Sequence, residues 1–168
     1  RNREIVAPVA DLVDAHGAGR RRTTLHVRSK SGALDAGFMR AGSHDLIEID
    51  ACPILAPPLK QAPELARALG GAIPDLSGSL DIQITATNSG LDCDIRGIKE
   101  LSLDARMNLG ELAEHHDLAR VSVGGEAVAE RRRPILKFGI ADITPPPGGF
   151  LQATVAGEET LAGLVLEK

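Results

Sequence analysis

Few residues of this chain combine a reactive type with a spacing that could do chemistry. Cys52 follows an apolar run and is itself followed at once by Pro53. A cysteine beside an apolar strand packs as a small buried hydrophobe, but a Cys-Pro pair leading into a helix also closes bacterial iron–sulfur motifs. One cysteine cannot hold a four-iron cluster. The second, Cys93, sits in mid-strand between Asp92 and Asp94, whose charges disfavour a nucleophilic thiolate. Ser43-His44-Asp45 reads as a turn and not as a triad, because three neighbours in sequence cannot converge. His115 and His116 point about 100° apart on a helix, so they lack the i, i+4 spacing of a metal pair. His26 faces the wet side of its strand. Arg20-Arg21-Arg22 leads into a strand, where alternate side chains line one surface and can position phosphates without reading sequence. Arg131-Arg132-Arg133 is a second dense run, and such runs also occur as solvated faces. Neither GxGxxG nor GxxxxGK[ST] occurs, which argues against a nucleotide site built within the chain.

Composition narrows the classes further. A length of 168 residues suits one domain, or one with an appendage, and is enough to bury a core. Three Phe and no Tyr or Trp leave that core to Leu, Ile, Val and Ala. They also argue against an aromatic platform for single-stranded nucleic acid. The net charge of -4 does not advertise a free-standing nucleic-acid binder. Two cysteines are too few for a disulfide framework. No signal peptide opens the chain, and no apolar run approaches the roughly 20 residues of a membrane span. The expectation is a cytoplasmic protein with reduced thiols and no membrane or DNA partner. The chain opens on Arg1-Asn2-Arg3-Glu4 and closes on Leu166-Glu167-Lys168 inside an expected helix, so both ends are expected to be cut.

The elements that must position these residues follow from periodicity. Ile5 to Val13 suggests a short extended segment, and Asp14 to Gly19 a turn. Arg21 to Ser29 alternates, with Thr23, Leu25 and Val27 on one face and Thr24, His26 and Arg28 on the other. Leu34 to Arg40 pairs back on it through the Ser31-Gly32 turn, and Leu46 to Ile49 forms a third strand. A helix is expected from about Pro57 to Leu69, stopped by Gly70-Gly71. Ser79 to Thr87 and Leu91 to Ile95 make a second hairpin. Ser102 or Asp104 caps a helix to about His116, weakened by Gly110. Short strands follow at 120–123, 127–130, 135–138 and 141–144. Pro145 to Gly149 is a stiff break, after which Thr154 caps a final helix with Leu161, Leu164 and Val165 inward. The fold class is α+β: antiparallel sheets, one face wet, with helices packed on the other.

Two stretches carry a family resemblance. Gly37 to Leu55 reads GFMRAGSHDLIEIDACPIL, and Pro145 to Thr154 reads PPPGGFLQAT. The first, followed by a helix, resembles the uracil-5-methyltransferase family of S-adenosyl-L-methionine-dependent RNA methyltransferases. Its ribosomal branch has Gly-Phe-Arg, a Ser-rich turn, an apolar strand with an acidic residue, then Cys-Pro. Phe150-Leu151-Gln152 resembles the family's Phe-x-Gln motif. The match covers essentially the whole chain, as a central domain (1–144) followed by a linker and the first helix (145–168) of a Rossmann-like methyltransferase domain. The resemblance implies that Cys52 is the fourth ligand of a [4Fe-4S] cluster, the other three lying upstream. It implies that Gln152 lines the S-adenosylmethionine and target-base pocket with Phe150 beside it, and that Arg40 and His44 lie near RNA. Met39 departs from the pattern, standing where the family often has an arginine, with Arg40 the available substitute. The family's cysteine nucleophile attacks C6 of a flipped-out uracil, so that C5 accepts the methyl group and a base removes its proton. Both groups lie in the C-terminal domain, so no catalytic residue is expected here and the chain alone is expected to be inactive. Cys52 points to ribosomal, 23S, rather than transfer RNA. The alternative is a stand-alone binding or structural domain with Cys52 in its core.

Overall fold

The computed structural model describes residues 11–14, 19–30, 32–74, 76 and 78–166. The extended segment expected over 5–13 falls mostly outside them, as do most of the 14–19 turn, Ser31 of the first hairpin turn, and the last two residues. Strands β1 (Arg22–Lys30), β2 (Ala33–Met39), β3 (Leu46–Glu48), β4 (Ser79–Thr87), β5 (Gly90–Arg96), β6 (Arg120–Val123) and β7 (Glu126–Glu130) form one sheet in the order β3-β2-β1-β4-β5-β6-β7. All neighbours are antiparallel except β5 and β6. A parallel pair needs a crossover, and helix α2 (Leu103–His115) supplies it. β8 (Leu136–Phe138) and β9 (Ala141–Ile143) form a separate hairpin.

Register sorts the sheet into two faces. Leu25 lies opposite Ile82 and Val27 opposite Leu80; Ile82 then meets Ile95, and Ile84 meets Cys93. This apolar face is covered by α1 (Ala62–Gly71), α2 and a 3-10 turn, Pro57–Leu59, so the helix expected from about Pro57 is split in two, with Lys60 and Gln61 between the pieces. Leu65, Ala66 and Leu69 of α1 and Ala105, Leu109 and Ala113 of α2 face inward, spaced as a helical stripe requires. Ser102 caps α2, its Oγ accepting from the Ala105 N–H at 3.2 Å. Gly110 is accommodated inside the helix. Gly70 and Gly71 close α1 instead of following it, with Gly70 packed against Val27. The opposite face is polar: Arg22, Thr24 and His26 lie across from Thr85, Gln83 and Asp81, and the row continues through Asp92 and Asp94 to Arg120 and Ser122.

Helix α3 (Val155–Leu166) corrects an expectation. Thr154 does cap it, accepting from the Gly157 N–H at 3.0 Å. Leu161, Leu164 and Val165, expected inward, are 48%, 42% and 75% exposed, and no residue of α3 is buried. The sheet's apolar face is already occupied by α1 and α2. α3 is tied down by its first turn, where Glu158 pairs with Arg21, and its leucines are left exposed.

Candidate functional site

A cleft of about 420 Å³ opens beside Cys52. Its floor is Phe38 of β2; Cys52, Ile54 and Leu55 come from the loop after β3; Arg20, Arg22 and Thr24 come from the start of β1. The backbone holds the two sides together. The Arg20 N–H donates to Ile54 O, and the Ala56 N–H donates to Arg20 O, both at 2.8 Å. Cys52 is half-buried and its thiol is free.

The three consecutive arginines have separate fates. Arg21 is buried; its Nε donates to Gln152 O at 3.3 Å and its guanidinium pairs with Glu158. Arg20 and Arg22 line the cleft and have no carboxylate partner among the described residues. Arg22 lies over the Phe150 ring at 5.2 Å, a cation–π contact. The acids before Cys52 are drawn away from the cleft: Arg67 of α1 bonds Glu48 at 2.9 Å and Asp50 at 3.1 Å. Among the described residues the cleft therefore carries two arginines and no carboxylate, in a chain of negative net charge.

Phe150 and Gln152 belong to a strap, residues 145–153, laid over the polar face of the sheet and held by its carbonyls. Arg120 makes two 2.8 Å bonds to Asp92 and donates to Pro145 O at 2.9 Å. Arg96 bonds Asp94 at 2.9 Å and donates to Gly148 O at 2.9 Å. Gln83 donates to Gly149 O at 3.2 Å, and the Arg21 N–H to Ala153 O at 2.8 Å. Asp92 and Arg120 are 5% and 4% exposed, so this part of the face read as wet is dry beneath the strap. Buried polar groups need such partners. Sequence reasoning missed Gln83, Asp92, Asp94 and Arg120; the available signal was two carboxylates alternating on a strand with apolar neighbours. The strap leaves Phe150 79% exposed, buries Leu151 and keeps Gln152 half-buried.

The other candidates lie elsewhere. Arg40 and His44 are exposed on the turn between β2 and β3. The Arg40 N–H donates to Asp45 O at 2.9 Å and His44 O accepts from Arg28 at 3.3 Å, and neither residue lines the cleft. His26 pairs with Asp81 at 2.6 Å. His115 and His116 meet edge to face on the surface. Asp117 accepts from Arg131 and Arg132 at 2.6 and 2.7 Å, which holds its carboxyl down at about 2. Cys93 is fully buried on the apolar face, where burial, with Asp92 adding to it, pushes its thiol well above the ordinary range. Among the described residues no three His, Cys, Asp or Glu side chains gather as a metal site. The chain's donors do not fit a four-iron cluster by themselves; Cys52 is available as one ligand. Among the described residues no helix is long and apolar enough to cross a membrane.

No model of a known protein family matches the chain. It is 35% identical to an uncharacterized RNA methyltransferase of Agrobacterium fabrum over 167 residues, 99% of this chain and 40% of that protein. An uncharacterized RNA methyltransferase of Brucella suis is 36% identical over 166 residues, again 99% of this chain and 40% of the relative. A more distant relative, the 23S rRNA (uracil(1939)-C(5))-methyltransferase of Shewanella piezotolerans, is 26% identical over 163 residues, 90% of this chain and 36% of that protein. The chain is thus homologous, over 99% of its length, to proteins named RNA methyltransferases, and it spans 40% of theirs.

Proposed function

We propose that the chain is the central part of an RNA methyltransferase that methylates C5 of a uridine in 23S ribosomal RNA, in the cytoplasm. The observation that carries this reading is end-to-end homology to RNA methyltransferases, joined by the distant match to a 23S uracil-C5 enzyme. S-adenosyl-L-methionine would supply the methyl group when bound. Gln152 would line the cofactor and target-base pocket: its side-chain amide has no partner among the described residues, while its carbonyl is fixed by Arg21. Phe150 stands exposed beside it for the RNA, with Arg40 and His44 contacting RNA farther out. Cys52 would contribute one ligand to a cluster whose other ligands lie outside this chain. Residues 145–168 would begin the methyltransferase domain, and the exposed leucines of α3 would be covered there. The nucleophilic cysteine and the base also belong to that domain.

The test is transfer of a labelled methyl group to unmodified 23S RNA by the longer protein, with the product mapped by nucleoside analysis. The expected product is 5-methyluridine. Gln152→Ala is expected to lower kcat/KM by about 10²-fold or more, the scale of losing a positioning contact, and the 168-residue chain alone is expected to transfer nothing. Methyl transfer to another atom would overturn the C5 assignment, and no transfer by the longer protein would overturn the enzyme reading and leave a binding domain. Visible absorbance lost on Cys52→Ser would identify the cluster ligand.

A further inference from the structure

We infer that the arginine side of the cleft is a subsite for a phosphodiester of the RNA, gripped by Arg20 and Arg22, with Cys52 on the loop side left for the cluster proposed above. The inference rests on the RNA reading and adds to it the place where the backbone is held. Three observations carry it. First, among the described residues Arg20 and Arg22 have no carboxylate partner, unlike Arg21 between them, and of the arginines without one (Arg28, Arg40, Arg106 and Arg133 are the others) they are the two that line the cleft. Second, the acids nearest Cys52 in sequence, Glu48 and Asp50, are bonded to Arg67, and among the described residues no carboxylate lines the cleft to repel an anion. Third, Arg22 is placed over the Phe150 ring. A cation–π contact leaves the guanidinium charge unneutralised, so its N–H groups can still donate to a phosphate. The Thr24 hydroxyl adds a donor beside them. Contacts of this kind fix register on the nucleic acid and carry no sequence information.

The chain contains its own reporter. This chain cannot hold a four-iron cluster by itself, so its Cys52 thiol is free; Cys93 is fully buried, so a thiol reagent reaches Cys52 alone, and Cys52 lines the cleft. The experiment measures binding of a fluorescent single-stranded 12-nucleotide RNA by anisotropy over a salt series, and in parallel the rate of Cys52 labelling with and without that RNA. Wild type is expected to bind and Cys52 to be protected. Arg20→Gln and Arg22→Gln are each expected to weaken binding about 3- to 10-fold at low salt. Each should lower the salt slope by about 0.7, the single-strand value for one phosphate contact, and relieve the protection. Arg106→Gln, on α2 across the sheet, is expected to change neither. RNA binding with unprotected Cys52, or equal loss in all three variants, would overturn the cleft and leave the RNA reading standing. No RNA binding by the wild-type chain would overturn the subsite, the RNA reading itself being decided by methyl transfer with the longer protein.

Discussion

Arg120 and Asp92 have their two bonds inside a nearly dry layer, where neither charge is tolerable alone. Arg120→Ala leaves a buried carboxylate and also strands the Pro145 carbonyl; the expected cost is about 3–5 kcal/mol in urea unfolding. Replacing both, as Asp92→Leu with Arg120→Met, is expected to cost less than that single change, because no buried charge remains. A double variant as unstable as Arg120→Ala would show that the pair does not act as a unit. Cys93 gives a pH signature. Its folded thiol ionises above the ordinary value of 9.0, so the stability it contributes is complete below that pH and is lost as pH rises, the unfolded chain ionising first. Stability is expected to fall on the alkaline side, and less steeply in Cys93→Ala, as read from urea midpoints across a pH series.

Two glycines decide how elements meet. A Cβ on Gly37 of β2 would collide with the Ile47 carbonyl of β3, so Gly37→Ala is expected to separate that pair. Since β3 leads into the Cys52 loop, the accompanying sign is faster Cys52 labelling; an unchanged rate would uncouple the strand from the cleft. Gly148 has φ +63°, and a Cβ there would run into Arg96 and Asp94. Gly148→Ala is expected to lift the strap and to speed limited proteolysis within 145–153. At this scale much was legible. The alternation of Arg21 to Ser29, the stripe on α1 and the Ser102 cap all appear in the structure at their expected places, because each depends on neighbours within a turn or a pleat. The strap was not legible beyond its stiff composition, since its bonds run from its carbonyls to side chains of three strands and to Arg21 just before β1.

For the whole molecule, burial predicts where substitutions matter. Leu109 is fully buried between α2 and the sheet, so Leu109→Ala is expected to cost about 2–5 kcal/mol. Leu164 is 42% exposed on α3, so Leu164→Glu is expected to stay within about 0.5 kcal/mol of wild type in this chain. A large loss would mean that α3 packs against the body. If α3 is covered in the longer protein, as proposed, the same change is expected to be disruptive there, seen as a lowered Tm.

By itself the sequence determined the α+β class, the order of strands and helices, and the two motifs around Cys52 and Gln152. Those are local properties, set by period, capping and turn chemistry within a few residues. Only the tertiary structure decided which charges remain available. Arg21 is consumed by Glu158, 137 positions away, and Arg120 by Asp92, 28 positions away, while Arg20 and Arg22 are left facing the cleft. Pairing between side chains so distant in sequence follows from strand register and from the strap's path, and no local pattern encodes either.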